Sequence, residues 1–185
     1  MKDSAKNSTK KICINAIGIT LFVALTLCIQ VPVFENYYVC LGYVVMALYC
    51  YLFGPISGTV VGCSGTILYC ILTGGFNGMP GWTLGNLIIG IVFGIACKYT
   101  KKLENNIIKY VILVTAIVLS TAVGILVIKS LTEVVLYAHP FIIRIAKNLP
   151  AFIADVVILI ISLPVCIGLE PILKKQLHMS TIISK

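Results

Sequence analysis

Apolar residues run in long blocks along this chain, separated by short polar or glycine-rich breaks. The blocks approach the ~17–25 residues that a helix needs to cross a bilayer, and they lack the strict alternation of a strand. Six spans are predicted, at about 12–31, 39–53, 56–73, 82–98, 107–128 and 148–173. The second is short, and its start is placed as early as Tyr37. The sixth has Pro150 near one end and Pro164 inside it. The spans form one domain over residues 1–185, with short tails at 1–11 and 174–185 and no linker or low-complexity tract.

Within the blocks, small residues recur at helical spacing. Gly54-Pro55 is a turn signal, because proline ends one helix and fits the first turn of the next. Gly54, Gly58 and Gly62 follow every fourth residue, with Gly65 three further on, so they share one face of the third span. A glycine face lets a neighbouring backbone approach closely, as membrane helices do. The fourth span carries Gly81/Gly85 and Gly90/Gly94, for which internal packing is expected. On the first span Ala16, Thr20, Ala24 and Cys28 form another small stripe, near Gly18. That stripe is either a seam for another subunit or a packing face of this protein.

Composition agrees with the pattern. Hydrophobic residues make up 59% and charged residues 11%, with a mean hydropathy of +1.07, against about a quarter charged in soluble domains. The predicted class is an all-α integral membrane protein, not an outer-membrane barrel. The 14 basic residues are unevenly placed. With the N-terminus inside, Lys2, Lys6, Lys10, Lys11, Lys98, Lys101, Lys102, Lys109, Lys174, Lys175 and Lys185 lie on the cytoplasmic side, and Lys129, Arg144 and Lys147 on the other. Six spans and this bias put both termini in the cytoplasm, and they account for the +8 charge without nucleic acid. The basic start resembles a signal peptide, but its apolar run is long and lacks a cleavage site, so it reads as a retained helix. The eight cysteines contain no C-x-x-C pair and read as apolar filler, not as disulfides or metal ligands.

The outer connections are the richer ones: 32–38, the glycine loop 74–81 and the long segment 129–147. Recognition is therefore expected on that side. Trp82 and Asn86, four apart, share a face suited to stacking on and hydrogen-bonding a planar ligand; separately they read as an interfacial tryptophan and a packing asparagine. Arg144, Lys147, Asn148 and Asp155 fall near one face of the last helix. Asp155 is a carboxylate well inside an apolar span, which marks a functional site or a needed partner. The set reads as a polar stripe descending from the outer mouth, or as two snorkelling cations and a structural aspartate. Glu133, just outside the fifth span, either joins the stripe or is solvated. Tyr38 and Asn77 add candidates from the loops. There is no Walker A sequence, no H-E-x-x-H, no G-x-S-x-G and no paired intramembrane carboxylates, so no enzyme, metal or cofactor is expected, and the chain does not hydrolyse ATP by the P-loop route.

Leu52-Phe53-Gly54-Pro55, Gly58 and Gly62, the glycine-rich outer loop, and Pro80-Gly81-Trp82 leading into Gly90 and Gly94 together resemble the S components of energy-coupling factor (ECF) transporters, vitamin-uptake systems of prokaryotes. Leu41-Gly42 and Lys147-Asn148 are similar too. The resemblance implies six helices with both termini inside and a plasma-membrane location. It also implies a high-affinity pocket near the outer face for a vitamin or precursor. The implied partners are a transmembrane coupling subunit and two cytoplasmic ATPases. Ala16-x-x-x-Thr20 and Ala24-x-x-x-Cys28 stand where the family places its small-residue contact for the coupling subunit. The expected function is substrate capture for ATP-driven uptake of a water-soluble vitamin or related heterocycle. The competing readings are a stand-alone small-solute carrier or channel, and a scaffold that binds no ligand.

Overall fold

The computed structural model describes residues 2–28, 32–34, 37–38, 40–138 and 140–177, with side chains over 9–28, 40–138 and 140–172. Helix α1 spans Lys2–Cys28 and is followed by a small antiparallel hairpin of β1 (Pro32–Phe34) and β2 (Tyr37–Tyr38). Helices α2 (Gly42–Phe53), α3 (Pro55–Thr73) and α4 (Met79–Thr100) come next. Helix α5 is one rod over Asn106–Tyr137, built from α-helix Asn106–Thr121, π-helix Ala122–Lys129 and α-helix Ser130–Tyr137. Helix α6 spans Phe141–Leu177. All of these except α2 are long and apolar enough to cross a membrane. Helix α2 has 12 residues, only about 18 Å at ~1.5 Å per residue. The chain is a multi-pass helical membrane protein.

The short connections put the hairpin, the turn after Gly74 and the turn at Ala138 at one end of the bundle, and Gly54 and the α4–α5 turn at the other. Gly54 (φ +92°) and Gly74 (φ +72°) adopt backbone conformations that favour glycine. Asn105 caps α5 by accepting from Ile107 N–H at 2.9 Å.

Five expected boundaries move. Helix α2 begins at Gly42, not near Tyr37, because Tyr37 and Tyr38 pair with β1 in the hairpin. The segment 129–147 is not a long connection. Helix α5 continues past Ile128 to Tyr137, the chain turns at Ala138 in the left-handed conformation (φ +53°), and α6 starts at Phe141, ahead of Asn148. Lys129, Glu133 and Arg144, which suggested a loop, have partners inside the bundle, so nothing stops the helix there. Helix α1 also extends through the charged start to Lys2, and α6 includes Lys174 and Lys175. The expected end of the first span at 29–31, and Lys185, lie outside the described residues.

Helix α2 sits at the centre, touching α1, α3, α4 and α6. Tyr43, Met46, Ala47, Cys50 and Leu52 are all buried on it. The glycine faces make this packing possible. A Cβ on Gly58 would run into Cys50, one on Gly62 into Met46 Sδ at 2.6 Å, and one on Gly65 into Phe22 at 2.5 Å. The glycines of α3 therefore seat α2 and α1. On α4, Gly90 faces the backbone of Thr59 and Gly94 faces Pro55, both on α3, while Gly81 and Gly85 face Lys129 and Gly124 on α5. Both glycine pairs of α4 are internal packing sites.

A Cβ at Gly94 would collide with the Pro55 backbone, whereas one at Gly168 would meet nothing within 4 Å. Gly94→Ala is expected to destabilise the protein by about 1–3 kcal/mol through overpacking, and Gly168→Ala to be neutral or stabilising by up to ~1 kcal/mol. Thermal unfolding of both variants in detergent checks the contrast; equal melting temperatures would contradict this packing.

Candidate functional site

Buried polar side chains gather at the hairpin end of the bundle. The hub is Tyr43, fully buried in the first turn of α2. Its hydroxyl donates to Asn86 Oδ1 at 2.7 Å and accepts from Trp82 Nε1 at 2.9 Å. Asn86, on α4 and also fully buried, donates through Nδ2 to Thr66 Oγ1 at 2.6 Å and to the Gly62 carbonyl at 3.4 Å. Thr66 in turn donates to that carbonyl at 2.9 Å. Tyr69 packs edge-on against half-buried Trp82, with ring centroids 5.7 Å apart. This half of the cluster ties α2, α3 and α4 together and leaves an aromatic wall of Tyr43, Tyr69 and Trp82.

The other half joins α5 to α6. Asn148, fully buried, donates to Ser130 Oγ at 3.0 Å and to Glu133 Oε2 at 3.3 Å. Arg144 Nη1 lies 3.7 Å from the same Glu133 oxygen. Lys129 is buried and interacts electrostatically with Glu133 and Asp155. Asp155, buried on α6, also stands beside the Tyr43 hydroxyl and so connects the two halves. Each ion finds an opposite charge, as burial in an apolar bundle requires.

The π-helical stretch explains why Lys129 and Glu133 point inward. Up to Thr121 the buried positions on α5 follow an α-helical repeat: Leu113, Ile117, Ser120 and Thr121. Continued unchanged, that repeat would bury Ile128 and Thr132. The wider turns of the π segment advance the register by one residue. Ile125, Lys129, Ser130 and Glu133 become buried instead, while Ile128 and Thr132 move to the partly exposed side. Across the helix pair, Gly85 and Gly124 let α4 and α5 meet backbone to backbone at this level.

Of the residues singled out in the sequence, Trp82, Asn86, Arg144, Asn148 and Asp155 come together here. Lys147 is on α6 but exposed, and Asn77 is exposed in the turn before α4, so neither enters the cluster. Tyr38 lies in β2, and its side chain is outside the described residues. Ala16, Thr20, Ala24 and Cys28 all face outward, while Gly18, Phe22 and Thr26 face the bundle. Tyr43, Thr66, Lys129, Ser130 and Glu133 complete the cluster. The sequence signal for Lys129 and Glu133 was their proximity to the apolar block, but an α-helical register places them elsewhere. Lys129, expected on the outer surface, is in the interior because of the π segment. The eight cysteines are free, and five are buried as apolar filler; no group of possible metal ligands occurs among the described residues.

Trp82 is the single tryptophan of the chain, so its emission reports on the Tyr43 hydrogen bond. Tyr43→Phe removes the acceptor of the indole N–H and a donor to Asn86. The expected result is a blue-shifted emission and a stability loss of about 1–3 kcal/mol, the cost of leaving buried polar groups unpaired. An unchanged spectrum and melting temperature would show that Tyr43 is not the hub.

Comparison with known proteins gives the lineage. The chain is 34% identical over 92 residues to a UPF0397 protein of Streptococcus thermophilus, covering 50% of each chain. It is 34% identical over 95 residues to a UPF0397 protein of Lactococcus lactis subsp. cremoris, again 50% of each. The chain thus spans about half the length of these curated relatives. A UPF0397 protein of Vibrio atlanticus is 31% identical over 138 residues, covering 72% of this chain and 75% of the relative. The family model for the "ECF-type riboflavin transporter, S component" matches residues 6–170. With that match running from α1 to the later part of α6, the chain belongs to the family of ECF-type riboflavin transporter S components.

Proposed function

We propose that this chain is the substrate-capture subunit of an ATP-driven ECF-type uptake transporter for a water-soluble vitamin or related small heterocycle. In this reading all six helices cross the plasma membrane of a prokaryote, both termini are cytoplasmic, and the hairpin end faces outward. Helix α2 reaches the outer surface together with the hairpin that precedes it. The observation that carries the reading is the concentration of buried polar and aromatic groups at one end of an apolar bundle. Hydrocarbon offers such groups no partners, so a cluster this rich is costly unless it serves a polar ligand.

The residues take different roles. Trp82 and Tyr69 offer ring faces for stacking. Asn148, Asp155 and Glu133 offer hydrogen-bonding groups for a heterocycle's polar edge. Asn86 is engaged by Tyr43, Thr66 and Gly62, so it positions the wall rather than reading the ligand. Asn77 and Tyr38 belong to the mouth. Riboflavin is the first ligand to test, because the family's description names it. Titration of the purified chain with riboflavin, followed by flavin fluorescence, is expected to show saturable binding. Asn148→Ala and Asp155→Asn should each weaken it by about tenfold or more, as for the loss of a charge-assisted or buried hydrogen bond. Unchanged affinity in both would remove α6 from the pocket.

The outward stripe Ala16, Thr20, Ala24 and Cys28 is the proposed docking seam for the transmembrane coupling subunit, through which two cytoplasmic ATPases supply energy. Small side chains allow close helix approach there, and Ala24 is exposed. Ala24→Leu is expected to abolish co-purification with the coupling subunit while leaving riboflavin affinity within about twofold, since the site is on other helices. Normal assembly of that variant would place the docking surface elsewhere.

A further inference from the structure

The charges of the site cancel. Among the described residues its charged members are Lys129 and Arg144 against Glu133 and Asp155. Lys147, the other cation at this end, is exposed and lies outside the cluster. Lys129 is opposed by both carboxylates, and Arg144 is held by Glu133 at 3.7 Å. A proton passing between Lys129 and Asp155 would leave the total unchanged. The balance therefore belongs to the cluster and not to one assignment of protons.

Glu133 is where this balance is set. One carboxylate oxygen faces Arg144 and accepts from Asn148 at 3.3 Å, and the residue is only 5% exposed. An arginine near a mouth would otherwise be a fork for a carboxylate or phosphate. With Glu133 in place, a ligand anion must either displace that carboxylate or enter an already neutral, poorly hydrated set, and both are costly. Asp155 plays the same part toward Lys129 deeper in the bundle.

We infer that Glu133 is a specificity-determining residue: by occupying Arg144 it reserves the site for ligands without net charge and excludes anionic relatives such as phosphate esters of the same heterocycle. The inference rests on the capture role proposed above and adds the rule by which ligands are chosen. It predicts that charge, more than size, separates accepted from rejected ligands.

The test uses the purified full-length chain with two probes that differ by one phosphate, riboflavin and riboflavin 5′-phosphate. The native protein is expected to prefer riboflavin by about tenfold or more, given the strength of one uncompensated charge at short range in a partly desolvated site. Glu133→Gln keeps an acceptor for Asn148 but frees Arg144, and should reduce that preference by about tenfold, mainly by tightening the phosphate ester. Arg144→Gln should move the ratio the other way, which supplies a second reading should Glu133→Gln fold poorly. A ratio unaltered by both substitutions, or equal native affinity for both probes, overturns the inference. If neither probe binds, the flavin ligand is rejected, and the charge rule is decided by mass spectrometry of the ligand extracted with the protein. A net anion would overturn it, and a neutral or zwitterionic molecule would support it.

Discussion

A polar group inside a lipid-embedded bundle has no water to fall back on. That constraint organises this molecule. Asn86, Asn148, Lys129, Glu133 and Asp155 are all nearly or fully buried. Each is accommodated only because another helix brings a partner: Tyr43 from α2 and Thr66 from α3 for Asn86, Ser130 and Glu133 from α5 for Asn148. The network thus doubles as the fastening of the bundle at that end. Removing one member leaves its partner buried and unpaired, which costs more than the bond itself contributed.

Such short polar reaches require close backbones, and the glycines provide them. The side chains of Asn86 and Thr66 meet across the α3–α4 contact that Gly62 helps to line with its own carbonyl. Lys129 and Asn86 face the same interior because Gly81 and Gly85 admit the backbone of α5. A methyl group at these crossings would push the helices apart where the hydrogen bonds must close. The opposite end is simpler: Tyr51 donates to Glu170 Oε2 at 3.0 Å, and Lys101 lies over the Tyr51 ring at 5.1 Å. Among the described residues these ties join α2, the C-terminal cap of α4 and α6 without enclosing a comparable polar cluster.

Much of the bundle was legible in the sequence, because hydrophobic block length and glycine spacing are local signals. The hairpin at Gly54-Pro55, the limits of α3 and the packing role of Gly81, Gly85, Gly90 and Gly94 follow from such signals. The gathering of Trp82, Asn86, Arg144, Asn148 and Asp155 was half legible, since each pair shares a helix face. What could not be read was register and partnership. Tyr43 looks like any aromatic residue in an apolar run until α4 supplies Trp82 and Asn86. Lys129 and Glu133 resemble the start of a loop until the π segment turns them inward. The hairpin at 32–38 was hidden for a related reason, since extended pairing and an early helix start compete for the same tyrosines.

The helices do not share the site equally. Helices α2 to α6 all place side chains in the polar network; among the described residues α1 adds only Thr26 at its edge, 3.4 Å from Cys40 Sγ. Its inward residue Phe22 instead packs edge-on against Tyr43, with ring centroids 6.4 Å apart, and fills the space beside Gly65 and Gly42. Its outward face mixes the small residues Ala16, Thr20, Ala24 and Cys28 with the exposed Ile12, Ile17, Leu21 and Leu27. Helix α1 is fixed to the bundle by close contacts of Gly18 with Tyr49 and of Phe22 with Gly65 and by the bond from the Tyr49 hydroxyl to the Ile14 carbonyl at 2.8 Å, and its inner face braces the hub residue directly.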